Sequence, residues 1–436
     1  MGRVPIQEEA HMVAEWMLQF AGDSLGPGGG WKLVDEDEPI LLDSAASALR
    51  EIRLPDGAAG FYKQLATGVH AAVGDGGSLA VFLAAHLVAY RVRGQLDGLP
   101  IALRQAKAWL SAHAKPAKWP ALPDVTALAD EGTIALDDVD IRVDRPGWHM
   151  GLHLTPQWGP QNAGTGNVLL LQTWRRRLQN SAVARGHFLD AEEARLRNEI
   201  QKVTELGVGL VVCLGAVGDD VATALQNAGI HVTHDASKPL VRRLERATGA
   251  TLVPTIQEAS SEALGRADWT WDDGLVVEGP GMSATFGVEA ENEWAGAMAT
   301  DKAERQLRLA GALLEDSRAL PQDWPVQLAT NLRTIAPLAE GRAPFGIESL
   351  AEALEAYGRA VTRNQGFDAW ENHKLGGQDA LIVVRLALEA AVQTAVQILR
   401  LDGRFDKRPS GGQALRGGSN RIGSPKGMPG DVPPLM

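Results

Sequence analysis

The sequence predicts an α+β multidomain fold. A discontinuous helical domain, assembled from both chain ends, carries an inserted α/β domain through a hinge-like intermediate region. Three observations predict it. Apolar residues recur at helical spacing in the N-terminal third and again after about Asp301. Between Asn167 and Thr255 short apolar strands alternate with helices. A connecting stretch from about Lys115 to Pro146, rich in proline and acids, separates these patterns. The 436 residues leave room for several compact units at roughly 100–200 residues each.

In chain order, Met12, Val13, Trp16, Met17 and Phe20 put one apolar face on a helix over Gln7–Ala21. It runs into Asp23–Gly30, where Gly26, Pro27, Gly28, Gly29 and Gly30 cannot continue a helix. A second helix, Gly60–Val73, meets the break Gly74-Asp75-Gly76-Gly77-Ser78, and an apolar helix over Leu79–Val92 follows. In the middle, Val168–Leu171, Gly209–Leu214, Ile230–Thr233 and Thr251–Thr255 read as strands. Helices Ala191–Leu206, Val217–Ala228 and Pro239–Thr248 lie between them, the last stopped by Gly249. This alternation predicts parallel pairing. Helices return over Lys302–Leu314, Ile347–Val361 and Asp379–Leu401. Gly403–Met436 is rich in glycine and proline with six Lys/Arg against two Asp, and it reads as a disordered tail.

Composition narrows the function. Apolar residues at 45% and charged residues at 22% suit a soluble globular chain. A net charge of −12 weighs against nucleic acid as the main partner, since phosphate binding rewards a basic face. One cysteine, Cys213, excludes a disulfide framework. It sits in an apolar strand and reads as inert. The start, Met1–Ala10, has no secretory pattern. The apolar run around Leu79–Tyr90 is shorter than the ~20 residues of a membrane span. The expectation is a cytoplasmic protein with neither a membrane nor a nucleic-acid partner. His149, His153, His231 and His234 lack zinc-ligand spacing. Trp269 and Trp271 alternate as on a half-exposed strand face, and Arg175-Arg176-Arg177 reads as a solvated face.

Two glycine breaks are the chemical candidates. Backbone amides freed in such loops, with a helix N-terminus behind, hold phosphate oxygens. Asp75 lies inside the second break, and a lone carboxylate beside phosphates suits Mg²⁺. A Gly-Asp-Gly turn is also, quite often, only a turn. Neither loop has the Walker ending Gly-Lys-Ser/Thr.

The residues then carry a resemblance. Ser24-Leu25-Gly26-Pro27 followed by Lys32-Leu33-Val34 resembles the first nucleotide loop of group II chaperonins, the thermosome and eukaryotic cytosolic chaperonin family. Asp43-Ser44-Ala45 resembles that family's Asn-Asp-Gly-Ala segment, and Gly74-Asp75-Gly76-Gly77-Ser78 its Gly-Asp-Gly-Thr-Thr motif. Phe188-Leu189-Asp190, Gly218-Asp219-Asp220 and Arg246-Ala247-Thr248-Gly249 are similar to its apical domain, and Leu314–Pro321 and Asn364–Asp368 to its C-terminal half. The resemblance implies a chaperonin-like subunit. Its equatorial domain spans 1–105 and 321–402, its intermediate domain 106–150 and 286–320, and its apical domain 151–285, with 403–436 as a tail. Thr173–Asp190 falls where the family carries its helical protrusion. ATP would lie on Leu25, Gly26, Pro27, Gly74, Gly76, Gly77 and Ser78, Mg²⁺ on Asp75, and Asp43 would help to place water.

Departures from the pattern matter as much. Arg305 stands where the family has the aspartate that orients the attacking water, and a guanidinium cannot accept that water's proton. Trp324 follows Pro321 where the family has a triple glycine lining the nucleotide. The chain is shorter than the pattern between Asp368 and Asp379, and a helical stretch before Asp138 is missing. Asp301 or Glu304 could replace the lost acid if the register shifts by a turn. The resulting expectation is a ring-forming subunit that binds unfolded polypeptide or a partner apically, with itself or homologous subunits as neighbours and ATP hydrolysis weak or lost. The alternatives are an active ATP-dependent folding chaperonin and a non-folding scaffold of the same shape.

Overall fold

The computed structural model describes residues 6–26, 29–35, 39–54, 57–119, 139–143, 147–154, 163–174, 185–271, 275–281, 284–290, 293–321, 323–365 and 379–401. Pro27, Arg175–Arg177 and the tail 403–436 lie outside the described residues.

The chain opens with α1 (Ile6–Gly22), whose Ala10, Ala14, Met17 and Ala21 are buried at alternating steps of four and three. A hairpin, β1 (Lys32–Asp35) and β2 (Pro39–Leu42), leads to α2 (Ala45–Glu51). Then come α3 (Ala58–Val73), α4 (Gly77–Ala89) and α5 (Gln95–His113). Helix α4 is buried on every side, which explains why its sequence is apolar without periodicity. Strand β3 (Lys115–Pro116) closes this block.

The middle of the chain builds two sheets. One has three strands in the order β4 (Val139–Val143), β12 (Ala284–Val288), β5 (Gly147–Met150), with β4 parallel and β5 antiparallel to β12. The other has six, in the order β6 (Leu152–Leu154), β11 (Leu275–Glu278), β10 (Gly265–Trp271), β7 (Gly164–Leu171), β8 (Val208–Cys213), β9 (His231–Thr233). Helices α6 (Arg185–Glu205), α7 (Asp219–Asn227) and α8 (Lys238–Thr248) connect and flank its parallel half. Val168–Leu171 are fully buried because alternate residues feed two cores, one on each sheet face. Helix α8 shows how locally the chain is specified: Ser237 accepts the Leu240 N–H, Pro239 sits in the first turn, and left-handed Gly249 ends it.

From there α9 (Glu293–Glu315) returns towards the first block, and β13 (Arg318–Ala319) pairs with β3. Helices α10 (Trp324–Ile335), α11 (Ala343–Asn364) and α12 (Leu381–Leu399) complete the helical body. One core joins α1–α5 to the end of α9 and α10–α12, so both chain ends meet in it.

Several expectations need correction. In the six-stranded sheet only β7, β8 and β9 pair parallel; β6, β11 and β10 pair antiparallel. Thr251–Thr255 is not a strand and contributes a single bridge, Val253 to Leu171. Trp269 is not on a half-exposed face: it is 6% accessible, its indole lying against Gly164, Gly166 and Gly209, where side chains would collide with it. Among the described residues the longest apolar helix is α12 rather than the run at Leu79–Tyr90. With mean hydropathy 1.6 over its best window it is long and apolar enough to span a membrane, yet here most of that window is buried in the helical core.

Helices α5 and α11 cross at glycines. A Cβ on Gly98 would lie 1.9 Å from the Ala343 carbonyl oxygen, and one on Gly346 2.2 Å from that of Gln95. Gly60, inside α3, has nothing within 4 Å. We expect Gly98→Ala to destabilise by about 1–3 kcal/mol through overpacking, and Gly60→Ala to stabilise by about 0.5–1 kcal/mol through helix propensity. Urea unfolding of the two variants checks both signs.

Candidate functional site

The two glycine breaks lie at the junction of α1, α2, α4, α9 and α12. The first is held by α11: Asn364 donates from Nδ2 to the carbonyls of Gly22 and Leu25, both at 2.8 Å. Gly26 is left-handed, and a Cβ there would meet Val361 at 2.8 Å. In the second break, left-handed Gly74 ends α3 and left-handed Gly76 precedes α4. A Cβ on Gly74 would sit 2.2 Å from the Arg305 carbonyl oxygen, on Gly76 2.6 Å from Val383, and on Gly77 2.7 Å from Ala46. Close packing of the loop onto α9, α12 and α2 therefore accounts for all three glycines. Ser78 is turned to the same task, since its Oγ accepts the Ala46 N–H at 3.2 Å and lies 3.1 Å from Ser44 Oγ. Asp75 accepts the Gly76 N–H at 2.6 Å.

Arg305 of α9 reaches into this junction. Its Nη2 donates to Asp43 Oδ1, and its Nε donates to Asp301 Oδ2 at 3.0 Å. Asp301, one helical turn back, is buried and also accepts from Ser47 Oγ at 2.8 Å and Arg50 at 3.4 Å. Burial works against the charge on Arg305, but Asp301, Asp43 and the nearby Asp75 outweigh it and raise its pKa. The guanidinium is thus a fixed cation among three carboxylates.

A second cluster continues along α9. Glu304 faces His70 Nε2 at 3.2 Å, Arg50 at 3.6 Å and Arg308 at 3.3 Å. The His70 hydrogen bond, opposed by burial and aided by the charges of His70, Arg50 and Arg308, brings its pKa down to about 2. Trp324 is 1% accessible and donates from Nε1 to Asp379 Oδ2 at 2.7 Å. Its ring lies 6.0 Å from that of Tyr357. Burial raises the Asp379 pKa, the Trp324 hydrogen bond opposes this, and Asp75 adds to it.

Mg²⁺ with a nucleotide does not fit this donor set. Asp43 and Asp301 already hold Arg305, and the guanidinium, whose charge Asp75 also feels, repels a second cation there. Asp301 and Glu304 do not stand in for the missing acid either: the first is bound by Ser47, Arg50 and Arg305, and the second faces His70 and Arg308. Of the residues singled out from the sequence, Asp43, Asp75, Gly74, Gly76, Gly77 and Ser78 converge here, with Leu25 and Gly26 on the adjoining loop; Pro27 is outside the described residues. Sequence reasoning did not find Ser47, Arg50, His70 or the Trp324–Asp379 pair. Only the i, i+4 spacing of Asp301 with Arg305 and of Glu304 with Arg308 hinted at a charged helix face.

Comparison with known proteins adds a family. Residues 177–375 match the sequence model of the TCP-1/cpn60 chaperonin family. A thermosome subunit of Methanopyrus kandleri is 30% identical over 195 residues, covering 42% of this chain and 35% of the relative. In sequence, then, the chain is similar to chaperonins over part of its length. A thermosome subunit beta of Sulfolobus acidocaldarius is 28% identical over 255 residues, 49% of this chain and 46% of the relative. The matches thus span less than half the length of these two curated relatives. In three dimensions, a group III chaperonin crystallised in the open state aligns with a TM-score of 0.64 at 18% identity, covering 92% of this chain and 98% of that one. That likeness is one of fold, and it extends the chaperonin architecture to nearly the whole chain.

The Glu304 cluster has a pH signature. A carboxyl held near 2 when folded and near 4.5 when unfolded stabilises the fold above about pH 4.5, and that contribution fades as pH falls towards about 2. We expect the urea midpoint of the wild-type chain to exceed that of Glu304→Gln most at neutral pH, and the gap to narrow below about pH 4. A gap constant from pH 7 to about 3 would contradict the assignment.

Proposed function

We propose that this chain is a chaperonin-type subunit that works without hydrolysing ATP. The carrying observation is Arg305 bound between Asp43 and Asp301, at the position where the group II resemblance implies a water-orienting aspartate. In phosphoryl transfer the protein mainly positions groups and balances charge. A guanidinium can do neither job of a general base, and here it also consumes the carboxylates that a metal and a water would need.

On this reading residues 1–105 and 321–402 form the equatorial domain, 106–150 and 286–320 the intermediate domain, and 151–285 the apical domain. The single core shared by both chain ends and the sheet unit inserted between them support the division. The subunit associates in the cytoplasm with copies of itself or with homologous subunits. Its apical domain meets unfolded polypeptide or a partner protein, and repetition around an assembly raises avidity for exposed apolar chain. Nucleotide, if held at Leu25, Gly26 and the Gly74–Ser78 loop, is held without turnover.

Two assays on the purified chain test the proposal. Phosphate release is measured with ATP and Mg²⁺, and light scattering follows the aggregation of a chemically denatured client. We expect no Mg²⁺-dependent hydrolysis above background, together with suppression of aggregation that ATP does not change. Hydrolysis that Asp75→Ala abolishes would contradict the inactive site. A chain that leaves client aggregation untouched would favour a non-folding scaffold.

A further inference from the structure

A second site lies behind the first. A cavity of about 560 Å³ opens between the last turn of α3, α5, the C-terminal half of α9 and α12. Helix α12 separates it from the glycine loops: Val383 and Ala387 face Gly76, whereas Ile382, Arg385, Leu386 and Glu389 line the cavity. Its size falls in the range of small-molecule pockets, ~300–1,000 Å³.

Its charges are arranged unevenly. Three cations arrive from three helices, Lys107 from α5, Arg308 from α9 and Arg385 from α12, in a chain of net charge −12. Glu389 is spent on Lys107, at 2.7 Å. Arg308 is held by the Ala71 carbonyl at 2.9 Å and by Glu304. Arg385 differs from both. It is half-buried, and among the described residues no hydrogen bond or contact ion pair engages its guanidinium. Asp316, which feels its charge, is gripped by Arg318 through bonds of 2.8 and 2.9 Å. The remaining acid of the lining, Glu315, is exposed. Around this open fork the walls are apolar, from Val73, Ala312, Ile382 and Leu386.

A guanidinium fork with free donors beside an apolar wall is suited to an oxyanion carried on a hydrophobic body. We propose that this cavity binds a small organic anion, with its phosphate or carboxylate headgroup on Arg385 and its apolar body against Ile382, Leu386 and Ala312. The ligand would touch both α9 and α12, and so would brace the junction where α9 leaves the helical body. The proposal is independent of whether the glycine-loop site holds nucleotide.

Titration calorimetry on the full chain at constant ionic strength tests it with three probes: phenyl phosphate, benzoate and inorganic phosphate. We expect saturable one-to-one binding of phenyl phosphate or benzoate, about tenfold tighter than inorganic phosphate. The stronger of the two organic probes identifies the headgroup. Arg385→Gln should weaken that binding by about tenfold or more, and Glu389→Gln, which releases Lys107, should strengthen it. No saturation by either organic probe up to about 10 mM would overturn the proposal. So would affinities that neither variant changes, or equal affinities for phenyl phosphate and inorganic phosphate. Should Arg385→Gln fail to fold, the direction of the Glu389→Gln effect still decides.

Discussion

The ion pair of Arg305 with Asp43 and Asp301 is the interaction on which the rest of the junction depends. Asp43 closes the β-hairpin side, Asp301 and Arg305 belong to α9, and Ser47 and Arg50 of α2 complete the contacts. A cluster of carboxylates packed this closely is unfavourable unless a cation sits among them. In a nucleotide-driven machine that cation arrives and leaves with the ligand. Here it is part of the chain, and it cannot leave without stranding Asp43 and Asp301.

This changes what α9 can do. The helix meets the three-stranded sheet at Gly296, which faces Val143, and again at Leu307 and Ala310, which pack with Val139 and Ala284, and its end enters the helical body at Ala312 and Leu313. It is shared between the sheet unit and the helical body. Asp301, Glu304, Arg305 and Arg308 tie its midsection to α2, α3 and the Asp43 turn through side chains that are buried or half-buried. Gly74 allows the α9 backbone to approach the loop to within van der Waals contact. Charge on one side and close packing on the other thus fix the helix against the glycine loop.

Much of this architecture was legible in the sequence, and the failures have physical causes. Gly74–Ser78 and Asp23–Gly30 announced the helix breaks because glycine at left-handed positions is a strong local signal. Val168–Leu171 announced a two-sided strand because both faces need apolar residues. Strand β10 gave no such warning: its buried positions are Gly265, Ala267 and Trp269, which alternate in burial but barely in hydrophobicity. Strand β4 was lost in an acid-rich stretch because Asp140 is paired with Arg243 at 2.5 Å, a long-range contact that no local pattern encodes. At the site, the resemblance exposed Arg305 and Trp324 as departures. Their partners, Asp301 and Asp379, are remote enough in sequence, or ordinary enough in type, that only the fold brings out their roles.

The same two departures support each other. Trp324 fills the place of small residues and binds Asp379, while Arg305 fills the place of an acid and binds Asp43. On the proposed reading, each puts an interaction within the chain where the family pattern implies one with a ligand. The most direct measurement is an experimental structure obtained with millimolar Mg²⁺ and a non-hydrolysable ATP analogue. The account predicts Arg305 still bridging Asp43 and Asp301, with no metal on Asp75. A Mg²⁺ ion coordinated by Asp75, with Arg305 swung out and Asp43 facing a water, would contradict it.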